Sequence, residues 1–420
     1  MTLASQVKNG MYTIRARAMR TFCALRSRPG KRKVIIFDPS LIAYQGHHAE
    51  FARILKAELA ASFEVRFYAH RKAATRLLAE LPADPVCWDP IYVPPGDFRS
   101  TYCRVSSSLC ASLRRIRAPD LGRTTIMLIH TLTVYQLGGL ARWYASLPAS
   151  LRPKLFIQFQ FPIEFHVHAE HWDDAAAAAR EAAGTLAATG TVRFASNSQT
   201  LAERIARQVG QPCAVMPLLL RWPRRATDAV FHSAPVFGFF GGLRVEKGAA
   251  LMAEALPTFS ARHPDTRFIV HAPWRESDRA AAGSLERVRQ IDLISDNFRS
   301  KEDYFSAFRK AACILLPYDP ATYALRTSGI FIEAIGLGHL VITTNGTWMA
   351  SELGKDSEAG LILPEFTTAS LLETLERARN RLLERTFIAT PNRRIIEENS
   401  PAAFCAALLH LMESDEFCRS

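Results

Sequence analysis

The sequence contains no Cys-x-x-Cys pair, and its eight cysteines are scattered along 420 residues. Closely paired cysteines are typical of zinc sites and of disulfide frameworks in small secreted domains. Their absence favours reduced thiols in a cytosolic protein. The sequence also has no apolar run of about 18 residues, the length that a membrane-spanning helix needs.

Acidic residues are absent from the first 33 positions, which hold nine of the 52 lysines and arginines. The rest of the chain has 43 basic and 40 acidic residues, so most of the net charge of +12 belongs to this leader. A nearly neutral body does not offer the broad basic surface that follows nucleic-acid phosphates. We therefore expect no nucleic-acid partner.

The leader, residues 1–33, has the pattern of a basic amphipathic helix. Its apolar residues recur at steps of three and four: Met11, Ile14, Ala18, Phe22 and Leu25. Such a helix can lie on an anionic membrane surface, which would make the protein cytoplasmic and peripheral on the inner face of the membrane. A solvated leader, an Arg-rich organelle presequence and a misplaced start codon are the alternatives.

Short apolar runs alternate with helix-like stretches along the rest of the chain. The first half has five candidate strands: Lys33–Asp38, Phe63–Tyr68, Thr125–His130, Lys154–Phe159 and Val192–Ser196. The second half has five more: Val236–Phe240, Arg267–His271, Ile291–Ile294, Cys313–Pro317 and His339–Thr344. This alternation predicts an α/β protein with two Rossmann-like, doubly wound domains that face a cleft.

A proline-rich stretch separates the two series of strands. It runs from Pro212 to Pro235 and includes a basic cluster at Arg221, Arg224 and Arg225. Prolines and polar residues at such density are typical of an interdomain connection. We predict a leader (1–33), a first domain (34–212), a connection (213–235), a second domain (236–395) and a C-terminal helix (396–420) that packs back on the first domain.

The strongest local motif follows the first strand of the second half. The strand VFGFF ends at Gly241 and Gly242, and a helix begins near Gly248. Glycines allow close approach of a ligand to the backbone, and a helix N-terminus attracts anions. Arg244 and Lys247 add positive charge beside it. The motif predicts a diphosphate site that needs no metal; the alternative is an ordinary strand-to-helix turn with solvated basic residues.

A second motif opens another helix at Ser328 and Gly329. Glu333 falls about one turn into this helix, where a carboxylate can accept both hydroxyls of a ribose. The alternative is a surface glutamate that the helix dipole favours near the N-terminus.

Together, GGLRVEKG and the later SGIFIEAIGLGHLVITT resemble the donor-binding half of GT-B glycosyltransferases, in particular glycosyltransferase family four. The resemblance covers about residues 236–365. In that family the first motif binds the donor diphosphate, and a Glu-x7-Glu motif contacts the sugar with its first glutamate and the ribose with its second. Glu333 matches the second glutamate.

Two positions depart from the family pattern. Gly242 stands where the family has an arginine, so Arg244 would supply the charge. Leu325 stands where the family has its first glutamate, and Leu325 cannot bind a sugar hydroxyl. Tyr323 and Arg326 lie next to it and are candidates for contacts with a different sugar.

The resemblance implies a glycosyltransferase that moves a sugar from a nucleotide diphosphate donor to a hydroxyl acceptor, in bacterial polysaccharide or glycolipid assembly. The acceptor would be a carbohydrate or a lipid-linked molecule, and no cofactor or metal would be needed beyond the nucleotide sugar itself. Retention of anomeric configuration is favoured over inversion, although Leu325 weakens that expectation. The alternatives are a catalytically silent scaffold and a GT-B nucleotide-sugar epimerase or phosphorylase.

In the first half, the resemblance suggests a loop that caps the donor phosphates and touches the acceptor. This loop follows the first strand and contains Gly46 and His47. The family also has a catalytic or sugar-binding histidine where His130 ends the strand TIMLIH. As a base near neutral pH, such a histidine could accept a proton from the acceptor.

One further group of residues has a spacing that suggests a metal site: Glu164, His166, His168, Glu170 and His171. Alternation along an extended segment would put His166 and His168 on one face. Because GT-B donors are handled without a metal, we interpret this segment as an acceptor-lining or surface loop.

Overall fold

The computed structural model describes residues 32–224, 226, 235–273, 279–354, 358–384 and 390–414. The amphipathic stripe of the leader and Arg225 lie outside the described residues. The chain divides into two compact units. The first runs to Leu219 and includes the residues from Ser400 onward, and the second is Leu220–Asn399.

The first unit contains a seven-stranded sheet. Its strands are β1 (Arg32–Asp38), β2 (Phe63–His70), β3 (Ala83–Cys87), β4 (Ile126–Ile129), β5 (Lys154–Phe159), β6 (Val192–Ser196) and β7 (Cys213–Val215). Every neighbouring pair is parallel, in the order β3-β2-β1-β4-β5-β6-β7. The order reverses between β1 and β4, and ligands of doubly wound sheets bind beyond the strand ends at such a point.

The helices of the first unit connect these strands as crossovers. They are α1 (His47–Leu59), α2 (Thr75–Glu80), α3 (Phe98–Leu113), α4 (Val134–Ser146), α5 (Trp172–Thr189) and α6 (Gln199–Val209). Ser198 caps α6, since its side chain accepts a hydrogen bond from the Leu201 N–H.

The second unit contains a six-stranded sheet, also parallel throughout. Its strands are β8 (Val236–Phe239), β9 (Arg267–His271), β10 (Ile291–Ile294), β11 (Cys313–Leu316), β12 (Leu340–Thr344) and β13 (Gly360–Leu363), in the order β10-β9-β8-β11-β12-β13. Its helices are α7 (Ala249–Arg262), α8 (Arg279–Leu285), α9 (Lys301–Phe308), α10 (Pro320–Tyr323), α11 (Gly329–Leu337), α12 (Trp348–Leu353), α13 (Thr368–Leu383) and α14 (Arg393–Glu398).

The last helix of the described chain, α15 (Pro401–Glu413), belongs to the first unit. Its apolar side joins the core of that unit, and the Phe404 ring lies edge-on to the Phe51 ring of α1 with centroids 5.7 Å apart. The helix predicted to begin at residue 396 is therefore two separate helices, α14 and α15. Its first residues complete α14, which packs against α11 in the second unit.

The α/β class and the two parallel sheets confirm the predicted fold. The sequence pattern nevertheless missed α3 and α4, which pack closely on each other. Gly138 and Gly139 look like a loop signal in the sequence, yet both lie inside α4. A Cβ atom on Gly139 would come within 2.1 Å of the Ser106 carbonyl oxygen, so the glycine permits the two helices to approach. The predicted connection also contains β7, one of the two edge strands of the first sheet.

Candidate active site

The glycine loop, which we define as residues 240–248, follows β8 in the second unit. Gly241, Gly242 and Gly248 have φ angles of 93°, 84° and 80°, in the left-handed region that glycine adopts without strain. A Cβ atom on Gly248 would lie 2.2 Å from the carbonyl oxygen of Pro317, which follows β11. The loop therefore depends on glycine for its conformation and for its contact with the next strand.

The Lys247 side chain is buried within the glycine loop, with 7% of its surface exposed. Its ammonium donates a hydrogen bond of 2.8 Å to the Gly241 carbonyl and lies 5.3 Å from the centre of the Tyr318 ring. A Cβ atom on Gly241 would contact both the Lys247 ammonium and the Ile330 side chain, at 2.7 and 2.6 Å. The loop thus packs against the first turn of α11, so the structure brings together the two predicted ends of the donor site.

Arg244 of the glycine loop forms an ion pair of 3.2 Å with Glu246. Its Nε atom is buried and has no hydrogen-bond partner among the described residues. A buried donor of this kind is costly unless a ligand or solvent completes it. Arg244 is therefore placed to share its positive charge between Glu246 and an anion.

The predicted sugar end of the site is aromatic. The rings of Tyr318 and Tyr323 are 4.5 Å apart, and the Arg326 guanidinium lies 4.8 Å from the centre of the Tyr323 ring. Burial raises the pKa of Tyr323, so its hydroxyl stays protonated at neutral pH. Leu325 is partly buried and brings no carboxylate to this region.

Ser328 and Glu333 both lie near the start of α11. Ser328 is the N-cap, and its hydroxyl accepts a hydrogen bond from the Phe331 N–H. Glu333 is 3% exposed and is held from α9: the Lys301 ammonium and the Tyr304 hydroxyl each donate to one carboxylate oxygen at 2.6 Å. Burial, followed by the nearby Glu333 charge, raises the pKa of Tyr304 well above its usual range.

Sequence reasoning missed Lys301 and Tyr304, which lie about 30 residues before Glu333 in the chain. Their spacing of three residues puts both on one side of α9, but no sequence pattern connects α9 with α11.

The imidazole cluster, which we define as Asp38, His47, His48 and His130, lies in the first unit. β1 pairs with β4 in parallel register, with Ile36 opposite Leu128, so both strands end at the same edge of the sheet. Asp38 ends β1 and His130 follows β4, which makes them neighbours. The loop after β1 then returns to this edge, where Gly46 (φ 105°) precedes α1 and its first residues, His47 and His48.

One carboxylate oxygen of Asp38 contacts two rings of the imidazole cluster. Asp38 Oδ2 lies 2.8 Å from Nδ1 of His48 and 2.9 Å from Nε2 of His130, while Oδ1 accepts a hydrogen bond from the Ser40 N–H. Burial alone would raise the pKa of Asp38. The adjacent His48 and His130 rings outweigh burial and hold this pKa well below its usual range, so Asp38 is ionised.

The His130 ring is 1% exposed and fully engaged inside the protein. Besides the Asp38 contact at Nε2, its Nδ1 lies 3.0 Å from the Thr131 hydroxyl. The Phe51 ring stacks on one face, with centroids 3.9 Å apart. Burial lowers the pKa of His130 although Asp38 opposes this shift. In this geometry the predicted catalytic His130 offers no ring nitrogen to a substrate.

His47 and His48 differ in their surroundings. His47 is exposed at the start of α1, and its ring lies 5.7 Å from the His130 ring. Partial loss of hydration, followed by repulsion from His130 and His48, lowers the pKa of His47. The His48 side chain is 15% exposed, and its Nε2 is buried with no hydrogen-bond partner among the described residues.

Within the described part of the chain, one group of side chains has the spacing of a metal site. The nearest oxygen or nitrogen atoms of Asp38, His48 and His130 lie within 4.8 Å of one another. The segment that suggested a metal site from sequence has other contacts. Glu164 bonds to Arg204 and Gln208, and His166 Nδ1 lies 2.8 Å from the Val93 carbonyl oxygen.

No helix within the described ranges has the length and apolarity needed to cross a membrane.

Comparison with known proteins agrees with this architecture. Residues 234–381 match the family model described as Glycosyl transferases group 1. No curated protein matches the chain by sequence.

Solved structures resemble the chain over most of its length. α,α-Trehalose 6-phosphate synthase from Burkholderia multivorans has 9% identity and a TM-score of 0.57, covering 93% of this chain and 100% of that one. HepE of Anabaena, in complex with UDP and glucose, has 13% identity and a TM-score of 0.58, covering 90% and 98%. A UDP-forming trehalose-phosphate synthase from Burkholderia xenovorans, in complex with glucose 6-phosphate, has 11% identity and a TM-score of 0.57, covering 91% and 100%.

At these identities the structural likeness establishes the fold, and the family match establishes the kind of domain that carries the glycine loop and Glu333. Residues 234–381 therefore match a Glycosyl transferases group 1 domain, and the chain has the GT-B fold.

Proposed function

We propose that this protein transfers a sugar from a nucleoside diphosphate sugar to a hydroxyl group of a carbohydrate or lipid-linked acceptor. One observation carries the proposal. The glycine loop, with Lys247 buried inside it, packs against the first turn of α11 at the carboxyl edge of a parallel sheet. This is where doubly wound sheets bind nucleotides, and both elements lie inside the matched glycosyltransferase domain.

The chemistry of the loop suits a departing diphosphate. Its glycines allow a phosphate to approach the backbone, and Lys247 and Arg244 bring two cations to the same loop. Positive charge that is fixed before the reaction stabilises the leaving group as its charge develops, by several kcal/mol in a water-excluded site. We propose that these residues replace a metal ion in this role. Glu333, oriented by Lys301 and Tyr304, would accept the ribose hydroxyls.

The names of the structural neighbours give the first donor to test. HepE was crystallised with UDP-glucose as well as with UDP and glucose, and three of the trehalose-phosphate synthase structures are named as UDP-forming. We propose a UDP-sugar as donor. The acceptor belongs to bacterial polysaccharide or glycolipid assembly, and residues 1–33 would hold the enzyme at the inner face of the membrane.

The test is a panel of nucleotide sugars, with UDP-glucose first, screened by thermal shift and then by release of nucleoside diphosphate. Binding of the correct donor raises the melting temperature according to its occupancy. We expect Lys247→Ala to lose most of this stabilisation and of the diphosphate release. Lys310→Ala, which changes an exposed lysine of the same unit, is the matched control and should behave like the parent.

Two outcomes would contradict the proposal. If no nucleotide sugar changes the melting temperature, the chain is better explained as a silent scaffold. If the donor sugar is epimerised without an acceptor, the protein is an epimerase. The resemblance to family four favours retention of the anomeric configuration.

A further inference from the structure

His271 ends β9 in the second unit, directly beside the glycine loop. Its carbonyl oxygen accepts a hydrogen bond of 3.2 Å from the Gly242 N–H. On its other side β9 pairs with β10, where Ile294 lies opposite His271. His271 is therefore at the carboxyl ends of three neighbouring strands, the edge at which doubly wound sheets bind nucleotides.

The imidazole of His271 has one nitrogen that lacks a hydrogen-bond partner among the described residues. The residue is 8% exposed, and its Nε2 lies 3.2 Å from the Asp296 carbonyl oxygen. Because a carbonyl oxygen only accepts, Nε2 carries the hydrogen and Nδ1 carries the lone pair. Burial is the main cause that lowers the pKa of His271, against the Asp296 contact and together with the Lys247 charge, so the ring is neutral at pH 7. Nδ1 is thus a buried acceptor without a donor.

The contacts of the His271 ring lead toward Glu333. The Phe298 ring packs against the imidazole with centroids 4.4 Å apart, and the Tyr304 ring lies edge-on to Phe298 at 5.6 Å. The Tyr304 hydroxyl in turn holds Glu333, the carboxylate proposed for the ribose. A base is bonded directly to its ribose, so this line of contacts places His271 at the base end of a bound nucleotide.

The strand order agrees with that placement. β8 lies between β9 and β11, and the glycine loop proposed for the diphosphate follows β8. Tyr318 and Tyr323, at the proposed sugar end, follow β11, whereas His271 ends β9. Because a diphosphate joins the sugar to the nucleoside, the nucleoside belongs on the β9 side of the loop.

Only some groups of a nucleotide sugar can donate to Nδ1. Diphosphate oxygens are ionised at neutral pH and only accept, and the ribose hydroxyls are assigned to Glu333. The base remains. Uracil has an N–H at its N3 position, the donor that a neutral imidazole nitrogen needs, whereas cytosine has a lone pair at the same position. A site that is built to bond an N–H group rejects an analogue that lacks it, because the buried protein atom is left unpaired.

We propose that His271 recognises the base of the donor, its Nδ1 accepting a hydrogen bond from the N3–H of uracil. This inference rests on the function proposed above and deepens it, since it gives the chain its own reason to take UDP-sugars in preference to CDP-sugars. Phe298 positions the imidazole by packing against it. The hydrogen bond involves no reacting atom, so His271 determines specificity and takes no part in the chemical step.

Calorimetric titration of the full-length parent with UDP, CDP and N3-methyl-UDP tests the proposal without any substitution. N3-methyl-UDP differs from UDP only in the methyl group that replaces the N3 hydrogen. We expect CDP and N3-methyl-UDP to bind about 10–100-fold more weakly than UDP, because each leaves the buried nitrogen without a donor.

Two variants of His271 then assign the preference to its side chain. His271→Asn keeps an acceptor oxygen near the position of Nδ1 and should retain most of the preference for UDP over CDP. His271→Leu has no acceptor and should lose that preference through weaker binding of UDP. His263→Leu is the matched control: His263 lies between α7 and β9, at the opposite edge of the same sheet, and its loss should leave the ratio of the two affinities unchanged.

The failure of this inference can be told apart from the failure of the proposed function. If the parent binds UDP and N3-methyl-UDP equally well, or if His271→Leu keeps the parental ratio of UDP to CDP affinity, His271 does not recognise the base and the proposed function stands. A parent that prefers a cytidine or adenosine diphosphate sugar would have the same meaning. If no nucleotide sugar binds the parent, both proposals are refuted.

Discussion

The Lys301 ammonium lies 2.6 Å from a carboxylate oxygen of Glu333, and Glu333 is almost completely buried. The hydroxyl of Tyr304 donates to the other oxygen. The carboxylate that the sequence singled out for the ribose is therefore held in place by two side chains of a different helix. We therefore expect α9 to help shape the proposed nucleotide end of the site.

Lys301→Met should destabilise the second unit, because it removes the cation that accompanies a buried carboxylate. We expect the free energy of unfolding to fall by about 1–3 kcal/mol, measured by urea denaturation. The double variant Lys301→Met/Glu333→Gln should recover part of that loss, since the uncompensated charge is gone. Equal or greater destabilisation in the double variant would show that the ion pair has no such role.

Gly248→Ala should disturb the glycine loop. The residue has a φ of 80°, and its new Cβ would lie 2.2 Å from the Pro317 carbonyl oxygen. We expect a loss of about 1–3 kcal/mol in the free energy of unfolding, together with weaker donor binding in calorimetry. Gly283→Ala is the matched control, because its Cβ would meet nothing within 4 Å inside α8. That control should be neutral or slightly stabilising, by about 0.5–1 kcal/mol; similar losses in both variants would contradict the prediction.

Acidification should weaken the first unit through its histidines. The pKa of the buried His130 is lowered from its usual 6.5 in the folded protein, and that of His47 is lowered as well. Below pH 6.5 the unfolded chain therefore binds protons that the folded chain does not, and the free energy of unfolding falls as the pH falls. Asp38 does not reverse this trend, because its stabilising contribution is lost only below its ordinary pKa of 3.8.

Urea denaturation at pH 7.5 and pH 5.5 measures this dependence. His47→Gln, which cannot titrate, should show a smaller difference between the two pH values than the parent. His168→Gln, at an exposed position of the same unit, provides the control and should keep the parental difference. A His47→Gln variant with the full parental difference would mean that the proton uptake occurs elsewhere.

The leader gives a prediction that depends on the sequence alone. Deleting residues 1–30 removes the apolar stripe and most of the nine basic residues. We expect the truncated protein to lose co-sedimentation with vesicles that contain anionic lipid, because both the apolar and the electrostatic contributions to binding disappear. Neutral vesicles serve as the control for the electrostatic part. Unchanged binding to anionic vesicles after truncation would exclude the leader as the membrane anchor.

Much of the architecture could be predicted because it depends on local patterns. Four strands were predicted with the bounds that the structure has: Lys154–Phe159, Val192–Ser196, Arg267–His271 and Ile291–Ile294. Short, largely apolar runs of this length are typical of strands in a parallel sheet. The turn at Gly241 and Gly242 and the start of a helix near Gly248 could also be predicted from the local sequence, because glycine adopts positive φ angles without strain.

The arrangement of the site depended on contacts between distant segments. Asp38 and His130 are 92 residues apart and meet because β1 and β4 are neighbours in the sheet, an order that no local pattern encodes. The same holds for Lys301 and Glu333, which meet through the packing of α9 and α11. By itself, the sequence determined the elements and the residue types at their ends. Only the tertiary structure decided that the His130 ring is buried and that the Asp38 carboxylate contacts Nδ1 of His48. Strand order and helix packing decide these contacts, and both are properties of the whole core.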